Sequence, residues 1–514
     1  MEMRVYARRR IAFAVTVSVV GLILALMGCR RQVIPPGPPP ADMATSGQVA
    51  LTGGGTNLEV TQVAATPTPG PSPTATPTRT PPETTATTYT VRPGDTLLRI
   101  AALYGTTVES LMRINRLANP DQIKVGQVLN VSVEAEHVGP GEQLIPDSEL
   151  VYGPSYRAFD VQAAVASYPG LLAHYSETVG TRELSGAEIV ELIANQYSVG
   201  PRVLLALLEL RGGWLTNPDP PSTQRTYPMG YIRGVYWDGL YMQLAQAANA
   251  LNGGFYGWWL DTLWLVQVGN GVFVQFSPTL NAGTAGVQKM LADTAPSYDA
   301  WVSDLERFAQ VYQGLFGDPF AYEVSPLVSP TTKAPSLQLP WPKGETWFYT
   351  GGPHPGWGTV GAYAAIDFTT DEEHIGCAVS RHWVTAVADG LVVVSEDGMV
   401  LQDLDGDGFV GTGWVVLYMH IASHERVAAG TMLKAGDRIG HPSCEGGVSD
   451  ASHLHLARRV NGVWIPADDA NWPMVLGGWR PVEGANAYDG TLVHGDETRT
   501  ACECWDVATN GITH

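Results

Sequence analysis

The chain has 514 residues, long enough for several domains, and 45% of them are hydrophobic, so it can bury sizeable cores. Its 50 acidic residues outweigh 30 basic ones, for a formal net charge of −20. No basic stripe follows the first ten residues, which argues against a nucleic-acid partner.

The first segment, "MRVYARRR", puts Arg4, Arg8, Arg9 and Arg10 ahead of an apolar run from Ile11 to Met27. Basic, then apolar, then small residues before a cut is the layout of an export signal. The run is marginal in length for a permanent transmembrane helix. Its ending, Leu26-Met27-Gly28-Cys29, resembles a bacterial lipobox. That resemblance implies a lipoprotein signal peptide over 1–28 and lipid on Cys29. It also implies an exported chain held at the outer face of the cytoplasmic membrane, in the cell envelope. Residues 29–87 form a Pro/Thr-rich linker, with "PPGPPP" and "TPTPGPSPTATPTRTPPETTATT". Such a stretch cannot build a core and favours an extended, polyproline-like stalk.

Residues 88–132 begin with "TYTVRPGDTL" and end with "IKVGQVLNV". Tyr89 to Val91 alternates as a strand, and Asp95 or Thr96 can cap a helix carrying Leu97, Ile100, Ala101 and Tyr104 on one face. A second helix begins at Val108, and "GQVLNV" returns as a strand. The whole segment, including "LMRINRL", resembles a LysM module, a βααβ unit that binds the N-acetylglucosamine-containing chains of peptidoglycan or chitin. The resemblance implies a glycan groove between two loops. Its residues would be Gly94, Asp95, Thr96, Leu97, Asn119, Pro120 and Ile123.

Residues 150–325 read as mostly helical. In "SGAEIVELIANQYSVGPRVLLALLELRGGW", Ser185 and Glu188 form a capping-box pattern ahead of two apolar-periodic helices. Over a short stretch this region resembles lysozyme-like lytic transglycosylases in a degenerate form. Aligned on Trp214, the catalytic place falls on Arg211, and Glu209 lies two residues away. An arginine cannot protonate a glycosidic oxygen. The domain therefore reads as a spacer or a glycan-holding unit, and Trp-rich "FYGWWLDTLW" reads as core.

From Leu339 the texture changes to short alternating strands split by glycine turns, among them Leu391–Ser395, Met399–Asp403 and Trp414–Ile421, an antiparallel β domain over 339–480. Cys377, Cys444, Cys502 and Cys504 make an even set, so two disulfides are expected, with three possible pairings. The tail, 481–514, is expected to be stapled by them. "DLDGDG" places Asp403, Asp405 and Asp407 like the start of a calcium loop, but Trp414 stands where an EF-hand wants glutamate. A hairpin loop is the better reading there, with Ca2+ the lesser one.

Chemistry-bearing residues concentrate in this β domain. "SHLHLARR" carries His453 and His455 on one face of a strand, with Leu454 and Leu456 on the other. "AAIDF" turns Asp367 away from Ile366 and Phe368. His354 follows a glycine-rich turn, and His420 ends "VVLYMHI", alternating with Val416 and Tyr418. A catalytic zinc takes three N or O ligands and leaves a fourth place for water, whose pKa it lowers. Two further imidazoles can move protons and stabilise a tetrahedral intermediate.

The set resembles the lysostaphin-type zinc endopeptidases of peptidoglycan, especially their β-lytic branch, over roughly 340–475. The long "PGWGTVGAYAAI" between His354 and Asp367 and the "GDRIGHPSCEGGVSDASHLHLARR" region carry the match. The resemblance implies one Zn2+ held by His354, Asp367 and His455, with His420 and His453 as the catalytic pair. The expected fold is thus multidomain α+β, with a LysM module, a helical middle domain and a C-terminal antiparallel metallopeptidase sheet. The expected activity is that of a lipid-anchored, peptidoglycan-binding zinc metalloendopeptidase cleaving peptide cross-links of the cell wall. The alternative is an inactive LysM and peptidase-like envelope protein that recruits or activates another hydrolase.

Overall fold

A computed structural model describes residues 88–514, apart from 92–94, 98–99, 102–103, 105–107, 132–134, 233–236, 270 and 372–375. The expected signal peptide, Cys29, the expected 29–87 linker and Gly94 lie outside the described residues. Among those described, no helix is long and apolar enough to cross a membrane.

In the first module, β1 (Thr88–Thr90) pairs antiparallel with β2 (Val128–Asn130), and Tyr89 lies opposite Leu129. Between them runs α1 (Val108–Asn115). Leu97, Ile100 and Ala101 occupy helical positions ahead of it, and with Leu111, Leu129 and Val131 they form the core. Asn115 fastens helix to strand: its side chain donates to the Asn130 carbonyl at 2.7 Å and accepts from the Asn130 amide at 2.6 Å.

The middle region is built on α2 (Gly186–Tyr197), α3 (Pro201–Gly212), α4 (Leu240–Trp259), α5 (Ala282–Thr294) and α6 (Tyr298–Phe316). The Ser185–Glu188 capping box starts α2, satisfying backbone donors that a helix N-terminus leaves open. Gly213, at φ +65°, ends α3. Trp258 and Tyr256 of the aromatic stretch are buried, as core residues should be. Two small strand pairs belong to this region, Leu265–Val268 with Val272–Gln275 and Ser176–Val179 with Arg182–Ser185.

The β domain contains β3 (Thr346–His354), β4 (Ala365–Thr369), β5 (Gly390–Glu396), β6 (Met399–Asp403), β7 (Trp414–Met419), β8 (Met432–Leu433), β9 (Leu454–Val460), β10 (Val463–Trp464), β11 (Arg480–Glu483), β12 (Gly490–His494), β13 (Glu497–Thr500) and β14 (Gly511–Thr513). One antiparallel sheet runs β8-β5-β6-β7-β9-β4-β3-β14, with β10 also paired to β9. Alternation sends Ile366, Phe368, Val416, Tyr418, Leu454 and Leu456 into one core. On the opposite face Val415, Leu417, Met419 and Ala457 join a single core with the helices. The helical region and the sheet are therefore packed through shared apolar residues rather than joined as beads.

Residues 481–514 do not form a separate tail. β11, β12 and β13 make a small sheet, and β14 returns to pair with β3, Gly511 opposite Phe348. A strand that completes the hydrogen-bond ladder of the main sheet belongs to that sheet's domain. The disulfides pair Cys377 with Cys444 and Cys502 with Cys504.

Candidate metal centre

Three strands meet at one point. β3 ends in His354, β4 carries Asp367, and β9 carries His455 directly opposite Asp367 in the ladder. Gly351 lies across from Asp367 on the other side. A Cβ at Gly351 would come within 2.5 Å of Asp367 Oδ2, so glycine there gives the carboxylate its room.

His354 Nε2 lies 2.9 Å from His455 Nδ1, and Asp367 Oδ1 lies 3.3 Å and 3.2 Å from them. All three residues are buried. The other ring nitrogens are engaged: His354 Nδ1 donates to the Gly352 carbonyl at 2.8 Å, and His455 Nε2 donates to the Gly356 carbonyl at 3.1 Å. Those bonds assign the tautomers and leave a lone pair on each inward-facing nitrogen. Asp367 Oδ1 has no hydrogen-bond partner although it is buried. Two lone pairs and an unpartnered carboxylate oxygen facing one point repel one another unless a cation sits between them. Zinc bonds of 2.0–2.1 Å set tetrahedron edges of roughly 3.3–3.4 Å, close to the observed spacings. The residues fit a zinc ion in geometry and in donor chemistry.

Burial alone would raise the Asp367 pKa, but the His354 and His453 imidazoles hold it well below the usual carboxylate range. Burial pushes His455 down. It also pushes His420 down to about 3, with the neighbouring His453 and His455 adding to the shift.

His420 and His453 complete the site, with ring centroids 4.4 Å apart. His453 Nδ1 donates to the Ala451 carbonyl at 2.9 Å, and its Nε2 lies 3.9 Å from Asp367 Oδ1. His420 Nδ1 donates to the Glu445 carbonyl at 3.2 Å. Strict alternation would have turned His420 to the face of Tyr418, away from Asp367 and His455. Instead β7 ends at Met419, and His420 takes φ +65°, which swings its ring onto the side of the other imidazoles.

Two features were not legible in the sequence. Tyr488, half-exposed on the loop before β12, stacks on His354 with centroids 4.1 Å apart and planes 19° apart. The Gly352 and Gly356 carbonyls orient the two histidines. The glycines flanking His354 were the available signal for the carbonyls; nothing local pointed to Tyr488.

The remaining candidates fall elsewhere. In the LysM segment Thr96, Asn119 and Pro120 are exposed, and Asp95 accepts from the Tyr89 hydroxyl at 2.7 Å. Leu97 is buried in the module's core and Ile123 packs against it, so the Leu97 side chain cannot line a groove. Glu209 accepts from the Leu215 and Thr216 amides and the Thr216 hydroxyl, closing a turn. Arg211 is engaged by Asp304 and Thr294. Asp403, Asp405 and Asp407 do converge. Their oxygens accept from the loop's own amides, and Asp407 also pairs with Arg157.

Residues 143–329 match the family profile "LasA, N-terminal domain", and residues 89–132 match "LysM domain". Protease LasA of Pseudomonas aeruginosa is 27% identical over 360 residues, covering 67% of this chain and 79% of that protein. N-acetylmuramoyl-L-alanine amidase XlyA of Bacillus subtilis is 38% identical over 84 residues, covering 16% of this chain and 28% of that one. Among solved structures, the M23 metalloprotease Pseudoalterin from the deep sea is 21% identical at a TM-score of 0.28, covering 36% of this chain and 99% of that one. The catalytic domain of lysostaphin from Staphylococcus simulans is 26% identical at a TM-score of 0.18, covering 24% of this chain and 89% of that one.

Proposed function

We propose that the chain is a LasA-type, lysostaphin-like zinc metalloendopeptidase with a LysM module, exported, lipid-anchored at Cys29 and cleaving peptide cross-links of peptidoglycan. In this reading 1–28 is the signal peptide, 29–87 the stalk and 88–132 the glycan-binding module. The helical domain then supports the peptidase sheet. Thr96, Asn119 and Pro120 are the exposed groove residues for N-acetylglucosamine-containing chains. Holding glycan beside the catalytic unit raises its effective concentration on an insoluble substrate.

His354, Asp367 and His455 would hold the metal. Zinc bound there would lower the pKa of a water and polarise the scissile carbonyl. His453, with Nδ1 committed to Ala451, has Nε2 free to take the water's proton and return it to the leaving amine. His420, buried with Nδ1 committed to Glu445, packs its ring beside His453 and, like it, keeps Nε2 as an acceptor, which suits it to receive a proton alongside its neighbour.

The observation that carries this reading is the spacing of the three inward-facing ligand atoms, 2.9–3.3 Å from one another, with the Asp367 oxygen unpartnered. It also favours an active enzyme over an inert relative, because a decayed site has no reason to keep three mutually repelling donors. Purified protein incubated with peptidoglycan should release new amino termini, stop when treated with chelator and resume on adding zinc. Release that continues unchanged in chelator would overturn the proposal.

A further inference from the structure

The loop joining the first two ligands is held from outside by the helical domain. Within the loop, the Gly356 amide reaches the Ala362 carbonyl at 3.2 Å. The Gly356 carbonyl is the acceptor for His455 Nε2. Gly356 itself lies against the Trp464 ring, where a Cβ would come within 2.8 Å. Trp464 is fixed by two helical-domain residues: its indole donates to the Tyr197 carbonyl at 3.1 Å, and its amide donates to the Tyr256 hydroxyl at 2.8 Å. The next loop residue, Trp357, is buried in the helical core with its ring edge-on to Tyr197 at 6.2 Å. Two residues on, the Thr359 amide donates to Asn249 Oδ1 at 2.9 Å, and Asn249 Nδ2 donates to Thr359 Oγ1 at 3.0 Å. Asn249 belongs to α4.

We propose that Trp357 and Asn249 are positioning residues, through which the helical domain sets the zinc affinity of the sheet's metal centre by holding the Gly356 carbonyl against His455. This rests on the zinc reading above. The physical reason is the tautomer. His455 can present Nδ1 as a lone pair only while Nε2 keeps its proton, and the Gly356 carbonyl is what holds that proton in place. A loop released from the helices lets this carbonyl drift, and the ring then loses both its preferred tautomer and its tilt.

The test compares zinc dissociation constants of the full chain, by competition with a chromogenic chelator, for wild type, Trp357→Ala, Trp357→Phe and Asn249→Ala. Loss of a partner that orients a metal-binding histidine weakens metal binding by roughly 10–100-fold, so Trp357→Ala should fall near the low end of that range. Asn249→Ala should weaken binding less, and Trp357→Phe, which keeps a ring in the pocket, should recover most of the affinity. Thermal unfolding of the zinc-free proteins runs alongside. A variant that unfolds earlier yet binds zinc as wild type does has lost only structure, and that result overturns the inference. If Trp357→Ala does not fold, Asn249→Ala decides, since it trims a half-buried side chain on the surface of α4. Wild type that holds no zinc sinks the functional reading and this one together. Wild type that holds zinc, beside two variants that match it, sinks this inference alone.

Discussion

At the scale of single residues, the two histidines of the His-x-His strand separate by how close their inward nitrogens come to Asp367. His455 faces Asp367 across the ladder at 3.2 Å, while His453 keeps its Nε2 3.9 Å away. His455→Ala therefore removes one of the three proposed ligands, and on that reading both zinc and activity should be lost. His453→Ala leaves the three donors in place, so zinc should be retained while turnover falls by about 10²–10⁴-fold, the usual contribution of a proton-transfer group. Metal analysis of the two purified variants, with rates on the same substrate, checks this. Full zinc occupancy in His455→Ala would remove it from the ligand set.

At the scale of elements, the strands of the site were readable because a period of two is visible in a short string. Leu454 and Leu456 flank His455, and Ile366 and Phe368 flank Asp367; the leucines, Ile366 and Phe368 share one core. The same rule misplaced His420, because a left-handed backbone at one residue is not written in the alternation that precedes it. Tyr488 and the Trp357 loop were hidden for a different reason. Their partners lie far along the chain, and only tertiary closure brings them together. The α2 cap was legible in four residues, whereas the join beside it was not. Glu149, fully buried ahead of α2, receives Arg202 Nε of α3 at 2.9 Å together with the Tyr156 hydroxyl at 3.0 Å and the Tyr312 hydroxyl of α6. Arg202→Met leaves that carboxylate buried without its cation, which should cost about 3–5 kcal/mol of stability. Adding Glu149→Gln should return much of the loss, because an unpaired amide is less costly to bury than an unpaired charge. Urea unfolding curves of the single and double variants measure both terms; a single variant as stable as wild type would show the pair to be inert.

At the scale of the whole molecule, the question is whether the helical region and the sheet are separable bodies. Leu401, Val415, Leu417, Met419, Val460 and Ile465 on the sheet side lie in one core with Leu192, Tyr256 and their neighbours on the helices. Fully burying a large aliphatic side chain contributes about 1.5–3 kcal/mol. Polar bonds cross the same boundary: Ser198 Oγ donates to the Gly462 carbonyl at 2.7 Å, Arg459 Nη1 to the Asn195 carbonyl at 2.9 Å, and Arg182 pairs with Glu396 at 2.7 Å. Arg459 is fully buried, and burial pushes its pKa down to about 10, so separating the halves by mutation would disturb a charge already held out of water. Cutting the connection should therefore not release either half. With a site-specific protease sequence inserted between Lys333 and Ala334, where the backbone runs along an exposed stretch, the cleaved chain should elute as one species in native size-exclusion chromatography. It should part only in denaturant, and its zinc affinity should stay at the uncut value, since the Trp357 loop keeps its helical support. Two separate peaks without denaturant would mean that the apolar boundary is an interface the molecule can open.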